Sequence, residues 1–207
     1  MAKIIGIGNQ KGGVGKTTLA INLAGYFASR KKRILVIDAD KQGSALDWQA
    51  VRQENNMFNV LGLPKDSIHK EVKSLALNYD YIFIDAPANS ANILRSIILA
   101  TDLFLIPITP SSLDVWSAEE VVKLLNEAKI YNEKIKSRFV INRKIVNTTI
   151  GKEVLKLLKN FDIPVCKSIV SQRISFAESM SSGMLVEELN TDKTATEEIK
   201  NLVKEIE

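Results

Sequence analysis

Between a β-branched run, Lys3–Gly8, and a segment of helical period, Thr17–Ser29, the chain reads Asn9-Gln10-Lys11-Gly12-Gly13-Val14-Gly15-Lys16-Thr17-Thr18. No other stretch restricts the architecture so tightly. Glycines at 12, 13 and 15 let the backbone curl until successive N–H groups point inward, and the helix starting near Lys16 adds its positive end. A Gly-Lys-Thr ending in this strand-to-helix context is the phosphate-binding pattern. Its lysine reaches the β- and γ-phosphates, and its threonine hydroxyl ligates Mg²⁺. Gly12, Gly13, Val14, Gly15, Lys16, Thr17 and Thr18 are therefore expected to bind a nucleotide. A glycine turn that is merely structural is the competing reading.

Around this loop, short apolar runs alternate with amphipathic segments, the pattern of βα units wound about a parallel sheet. Strands are expected at Lys3–Gly8, Arg33–Asp38, Tyr81–Asp85, Leu103–Ile108 and Arg138–Ile141. Helices are expected at Thr17–Ser29, Ser44–Glu54, Ile68–Leu77, Asn92–Ala100, Ser117–Ala128, Gly151–Phe161 and Thr194–Glu207. Ile34-Leu35-Val36-Ile37, Ile82-Phe83-Ile84 and Leu103-Phe104-Leu105-Ile106 are apolar at every position, as strands covered on both faces must be. The expected fold is α/β: a doubly wound, mainly parallel sheet flanked by helices, in one domain spanning residues 1–207, a length that buries most of its own surface.

Two strand ends carry carboxylates where an open α/β sheet places its ligand. Tyr81-Ile82-Phe83-Ile84-Asp85 ends as a Walker B strand does, and Asp85 is expected to hold Mg²⁺ through water, since that ion keeps much of its hydration shell. Ile34-Leu35-Val36-Ile37-Asp38-Ala39-Asp40 supplies two more.

The general P-loop pattern asks for glycine at position 10, where this chain has Gln10, and a second lysine, Lys11, precedes the glycines. Here the sequence resembles the deviant Walker A ATPases, the group that contains ParA, MinD and the nitrogenase iron protein. The opening Asn-Gln-Lys-Gly-Gly resembles ParA, the plasmid partition ATPase, more than MinD. The resemblance runs on through Asp38-Ala39-Asp40-Lys41-Gln42-Gly43, where Lys41 replaces the family's proline, through Pro107 to Asp114, and through Ser171–Ser179. It implies ATP and Mg²⁺ as cofactors and catalytic roles for Lys11, Lys16 and Asp40. Lys11 would reach the partner's phosphates across a nucleotide-sandwich homodimer, and Asp40 would orient the attacking water. Thr17, Asp38 and Asp85 would serve the metal, and Asn142, at a later strand end, would hydrogen-bond adenine. Positive charge supplied in trans makes hydrolysis conditional on dimerisation.

The P-loop so near residue 9 resembles the short form of the family, close to ParF, without an N-terminal DNA-reading domain. Such relatives imply non-specific DNA binding by the ATP dimer and a small ParB-like centromere-binding partner. Phosphate contacts suffice for that binding. Arg143, Lys144, Lys152, Lys167 and Arg173 are the candidate DNA contacts, with ordinary solvated surface as the alternative. The formal charge of +4 permits either. A ParA-like ATPase that positions a protein cargo, or a metabolic P-loop synthetase, would carry the same nucleotide loop.

Lys3-Ile4-Ile5-Gly6-Ile7-Gly8 offers no export signal, and no apolar run approaches roughly 18 residues. A cytoplasmic protein without membrane contact is expected, nucleoid-associated when ATP-bound. The one cysteine, Cys166, reads as a small buried hydrophobe and excludes an iron–sulfur role. His69 stands alone, packed or solvent-facing, outside any catalytic pattern.

Overall fold

Uninterrupted apolar runs give the chain a sheet whose inner strands are buried on both faces. In the computed structural model, which describes residues 1–146 and 150–207 and all their side chains except 112, 113 and 150–153, six strands form one sheet. They are β1 (Lys3–Ile7), β2 (Ile34–Asp38), β3 (Asn59–Gly62), β4 (Tyr81–Asp85), β5 (Leu103–Ile108) and β6 (Lys136–Ile141). Their order is β3-β2-β4-β1-β5-β6, and every pairing is parallel. β1 is central, with β2 reached on one side across β4 and β5 adjacent on the other. That reversal of winding opens a crevice at the carboxyl edge, where β1 delivers the glycine loop.

Helices α1 (Lys16–Ala28), α2 (Ser44–Val51), α3 (Ile68–Leu75), α4 (Ala91–Ala100), α5 (Ser112–Tyr131), α6 (Ile150–Leu158), α7 (Ile174–Ser181), α8 (Val186–Leu189) and α9 (Lys193–Ile206) cover the sheet. Period-two alternation divides each strand's side chains between two cores. Leu35, Ile37, Ile82, Ile84, Phe104 and Phe139 pack with α3, α4, α5 and α6. Ile34, Val36, Phe83, Leu105 and Val140 pack with α1, α2, α7, α8 and α9. α9 seals the second core with Ala195, Ile199, Leu202, Val203 and Ile206, and the Lys3 ammonium donates to the Ile206 and Glu207 carbonyls at 2.7 Å each.

The expected strands all form, β6 starting two residues earlier. The sequence reading missed β3, α7 and α8. β3 lies at the sheet edge with Asn59, Leu61 and Gly62 exposed, so it lacks the continuous apolar run of a buried strand. α7 and α8 are only 8 and 4 residues long, too short for helical period to stand out. α5, expected over Ser117–Ala128, gains a turn at its start and three residues at its end. Beyond β6 the chain returns beside it, with bridges Phe139↔Val165 and Lys144↔Ser171. No described helix is long and apolar enough to cross a membrane.

Candidate functional site

The loop between β1 and α1 is built as a cradle. Gly13 and Gly15 stand at φ 74° and 85°, left-handed conformations that other residues resist, and Gly15 caps α1. Successive N–H groups beside a helix start form an anion-binding concavity. Asn9, fully buried, anchors its entrance: its amide donates to the Pro107 carbonyl at 2.9 Å and its oxygen accepts from the Lys11 N–H at 3.0 Å.

Three charges converge on the cradle. Lys16 is 8% exposed and its ammonium donates to the Lys11 carbonyl at 3.2 Å. Burial lowers its pKa, opposed by the nearby Asp85 and Asp40 carboxylates. The Thr17 hydroxyl donates to Asp85 Oδ2 at 2.6 Å, while Asp85 Oδ1 is buried with no partner. Burial pushes the Asp85 carboxyl up to about 7, against the opposing pull of the Thr17 hydrogen bond. An orphaned carboxylate oxygen beside a threonine hydroxyl at a phosphate cradle fits a hydrated Mg²⁺, which takes few protein ligands and shares phosphate oxygens. Among the described residues, no group of three or more His, Cys, Asp or Glu is placed to hold a metal ion.

Asp38 is held by backbone donors on both carboxylate oxygens. Its Oδ1 accepts from the Asp40 N–H at 3.1 Å, and its Oδ2 from the Ala45 and Leu46 N–H groups at 2.8 and 3.2 Å. Burial raises its pKa, and these three donors oppose the rise. Asp38 therefore shapes the loop that presents Asp40 and starts α2. Asp40 accepts from the Gln42 N–H at 3.0 Å and stays half-exposed, facing the cradle's charges. The Lys11 ammonium pairs with Asp114 of its own chain, on the first turn of α5, and Asp114 is 1% exposed.

Beside the cradle opens a cavity of about 670 Å³, lined by Gly15, Thr18, Asn142, Ile174, Phe176 and Met180 among others. An apolar pocket joined to a phosphate cradle suits a base and ribose. Asn142 lines it, with one amide N–H donating to the Val14 carbonyl at 2.7 Å. The pocket wall is fastened to α9: Glu198 accepts from the Ser171 hydroxyl at 2.8 Å and from Arg173 at 3.0 Å. Sequence reasoning noted Ser171–Ser179 without giving it this lining role, because an apolar pocket wall has no signature in chain order.

The five basic candidates are not alike. Arg143 donates to the Gly13 carbonyl, and Arg173 is held by Glu198 and Asp192. Lys144 is half-exposed and Lys167 exposed, the latter's backbone N–H bound to Glu205 at 2.8 Å. The Lys152 side chain lies outside the described residues. His69 packs through Nδ1 on the Ser96 hydroxyl at 2.8 Å, and Cys166 is buried, its thiol pushed up to about 11 by burial.

Residues 5–186 match the family model of the CobQ/CobB/MinD/ParA nucleotide binding domain. The chain is similar to the maintenance of carboxysome distribution protein A of Halothiobacillus neapolitanus, 25% identical over 98% of this chain and 95% of that one. It is also similar to the sporulation initiation inhibitor protein Soj of Bacillus subtilis, 25% identical over 100% and 98%. Among solved structures, the ATP complex of a McdA variant from Cyanothece superposes with a TM-score of 0.82 at 17% identity, over 99% of this chain and 95% of that one.

Proposed function

Because the chain belongs to the CobQ/CobB/MinD/ParA nucleotide-binding family of P-loop ATPases, we propose that it is a positioning ATPase that binds ATP with Mg²⁺, dimerises around the nucleotide and hydrolyses it to move a cargo. The observation that carries this reading is the Thr17 hydroxyl on Asp85, with the second carboxylate oxygen orphaned, at the foot of a cradle entered by Lys16.

In this reading the Gly12–Thr18 backbone binds the phosphates, and Lys16 neutralises the charge at the β- and γ-oxygens. Thr17 and Asp85 hold Mg²⁺, which supplies charge stabilisation at the transferring phosphoryl group. Asp40 orients the attacking water. Asp38 sets the loop that aims it. Lys11 leaves Asp114 and enters the partner's site, so a lone subunit hydrolyses slowly.

The cargo is plasmid or chromosomal DNA held through non-specific contacts by Lys144, Lys167 and their neighbours, with a small ParB-like partner stimulating turnover. A protein cargo is the second reading, favoured by the similarity to a carboxysome-distribution protein along nearly the whole chain. Light scattering with ADP, ATP or a non-hydrolysable analogue, each with and without random-sequence DNA, tests switch and cargo together. An ATP-specific dimer retained on DNA and released steeply by salt is the expected result. A protein that stays monomeric with Mg-ATP contradicts the reading. A dimer indifferent to DNA selects the protein cargo, and turnover stimulated by a small acid substrate selects a synthetase.

A further inference from the structure

A phosphate cradle works only if its N–H groups face inward, and something must hold them there. Each trans peptide points its C=O and its N–H in opposite directions. A carbonyl held outward therefore turns the next residue's N–H inward. Three carbonyls of this loop are held by side chains. Lys11 O accepts from Lys16 at 3.2 Å, Gly13 O accepts from an Arg143 Nη, and Val14 O accepts from the Asn142 amide at 2.7 Å. The Lys11 carbonyl meets the ammonium that enters the cradle, so the N–H groups that the two bonds from outside the loop turn inward are those of Val14 and Gly15.

Lys16 belongs to the loop itself, but Asn142 and Arg143 come from the far end of β6. Their backbone is fastened on both sides: the Asn142 N–H donates to Ile108 O at 2.8 Å and the Lys144 N–H to Val170 O at 3.2 Å. Between these bonds Arg143 is forced to φ 53°, a left-handed conformation that a side-chain-bearing residue resists. That turn carries its guanidinium back to the Gly13 carbonyl. Asn142 packs so close that a Cβ on Gly15 would lie 2.4 Å from its nitrogen.

Resting on the nucleotide reading above, we propose that Arg143 is a positioning residue of the phosphate site. Its guanidinium holds the Gly13–Val14 peptide so that the Val14 N–H faces the phosphates, as Asn142 holds Val14–Gly15. An arginine spent on a loop carbonyl acts on nucleotide affinity, and DNA retention by the protein does not depend on its charge.

Calorimetry with magnesium-free ADP on the wild type, Arg143→Met and Arg143→Lys tests this, alongside melting of each nucleotide-free protein. Arg143→Met keeps the stem without the donor and should weaken ADP about tenfold, at low and high salt alike, because the bond is to a neutral carbonyl. Arg143→Lys restores a donor and should recover most of the loss, and all three nucleotide-free proteins should melt together. ADP affinity unchanged in Arg143→Met overturns the proposal, as does a loss that vanishes at high salt, which would mean charge attraction alone. Lower melting with normal ADP affinity would make Arg143 a prop of the fold and overturns it too. A wild type that ignores ADP would instead sink the nucleotide reading itself.

Discussion

Lys11 and Asp85 show how single residues here are held in states that a ligand must change. Asp85 is 1% exposed and its carboxyl is pushed up to about 7 by burial, so the nucleotide-free protein holds a proton there that an unfolded chain would release near 3.8. The folded state binds more protons across that window, so this group's contribution to stability is present below about pH 4 and is lost as pH rises to 7. Mg²⁺ held by Asp85, as proposed, would need the carboxylate and would expel the proton. Affinity for Mg-ADP should therefore rise with pH from about 6 to 8, with proton release detected as buffer-dependent heat in calorimetry, and Asp85→Asn should bind Mg-ADP weakly with a flat profile. Lys11 is the other case, since its ammonium neutralises a carboxylate that is 1% exposed. Lys11→Ala should spare ATP binding, abolish turnover and weaken the ATP dimer. It should also cost about 1–3 kcal/mol of folding stability, because Asp114 is left buried without its cation. Full ATPase activity in that variant would refute the role in trans. The residue types at both positions were legible in the sequence from motif spacing. The partner of Lys11 was not, because Asp114 lies over a hundred residues from it and the fold brings the two together.

Polar bonds join elements where α2, which follows the Asp40 loop, meets the α7–α8 connection, which follows the pocket wall. Arg52, just past α2, has a side chain 2% exposed and forms a bidentate pair with Glu188 at 2.6 and 2.9 Å, donating also to Gly183 O at 2.8 Å. Trp48 donates to Met184 O at 3.0 Å, and Gly183, at φ 64°, would bring a Cβ within 2.5 Å of the Arg52 backbone. Glu188→Ala should destabilise by about 3 kcal/mol in urea unfolding, because it strands a desolvated guanidinium. Gly183→Ala should cost at least as much, since backbone cannot move aside as a side chain can. If both variants unfold like the wild type, the seam carries no stability. None of this seam was legible beforehand. The helix expected over Ser44–Glu54 forms as Ser44–Val51, whereas Glu188 sits in a four-residue helix and Gly183 in the turn before it, neither of which announces itself in the pattern. β2, β4 and β5 were legible for the opposite reason, since burial on both faces imposes apolar residues at every position.

At the scale of the molecule, the parallel sheet decides what faces outward at its carboxyl edge, and there the apolar surface is not spent. Ile174, on the cavity wall, is 77% exposed, and Trp116, two residues beyond the Asp114 that holds Lys11, is 61% exposed. In the proposed dimer, the exposed indole near the Lys11–Asp114 pair would lie on the face that meets the second copy. The chain's only other tryptophan, Trp48, is 3% exposed and stacked on Phe58 at 5.4 Å, so it serves as an internal reference. Adding Mg-ATP should shift emission from Trp116 to shorter wavelength and protect it from a soluble quencher, in step with the rise in scattered mass. ADP should do neither, and Trp116→Phe should abolish the spectral change while leaving Trp48 emission in place. Dimerisation that leaves Trp116 as open to quencher as before would place the contact elsewhere on the molecule, and with it would go the argument that Lys11 crosses between subunits at this edge.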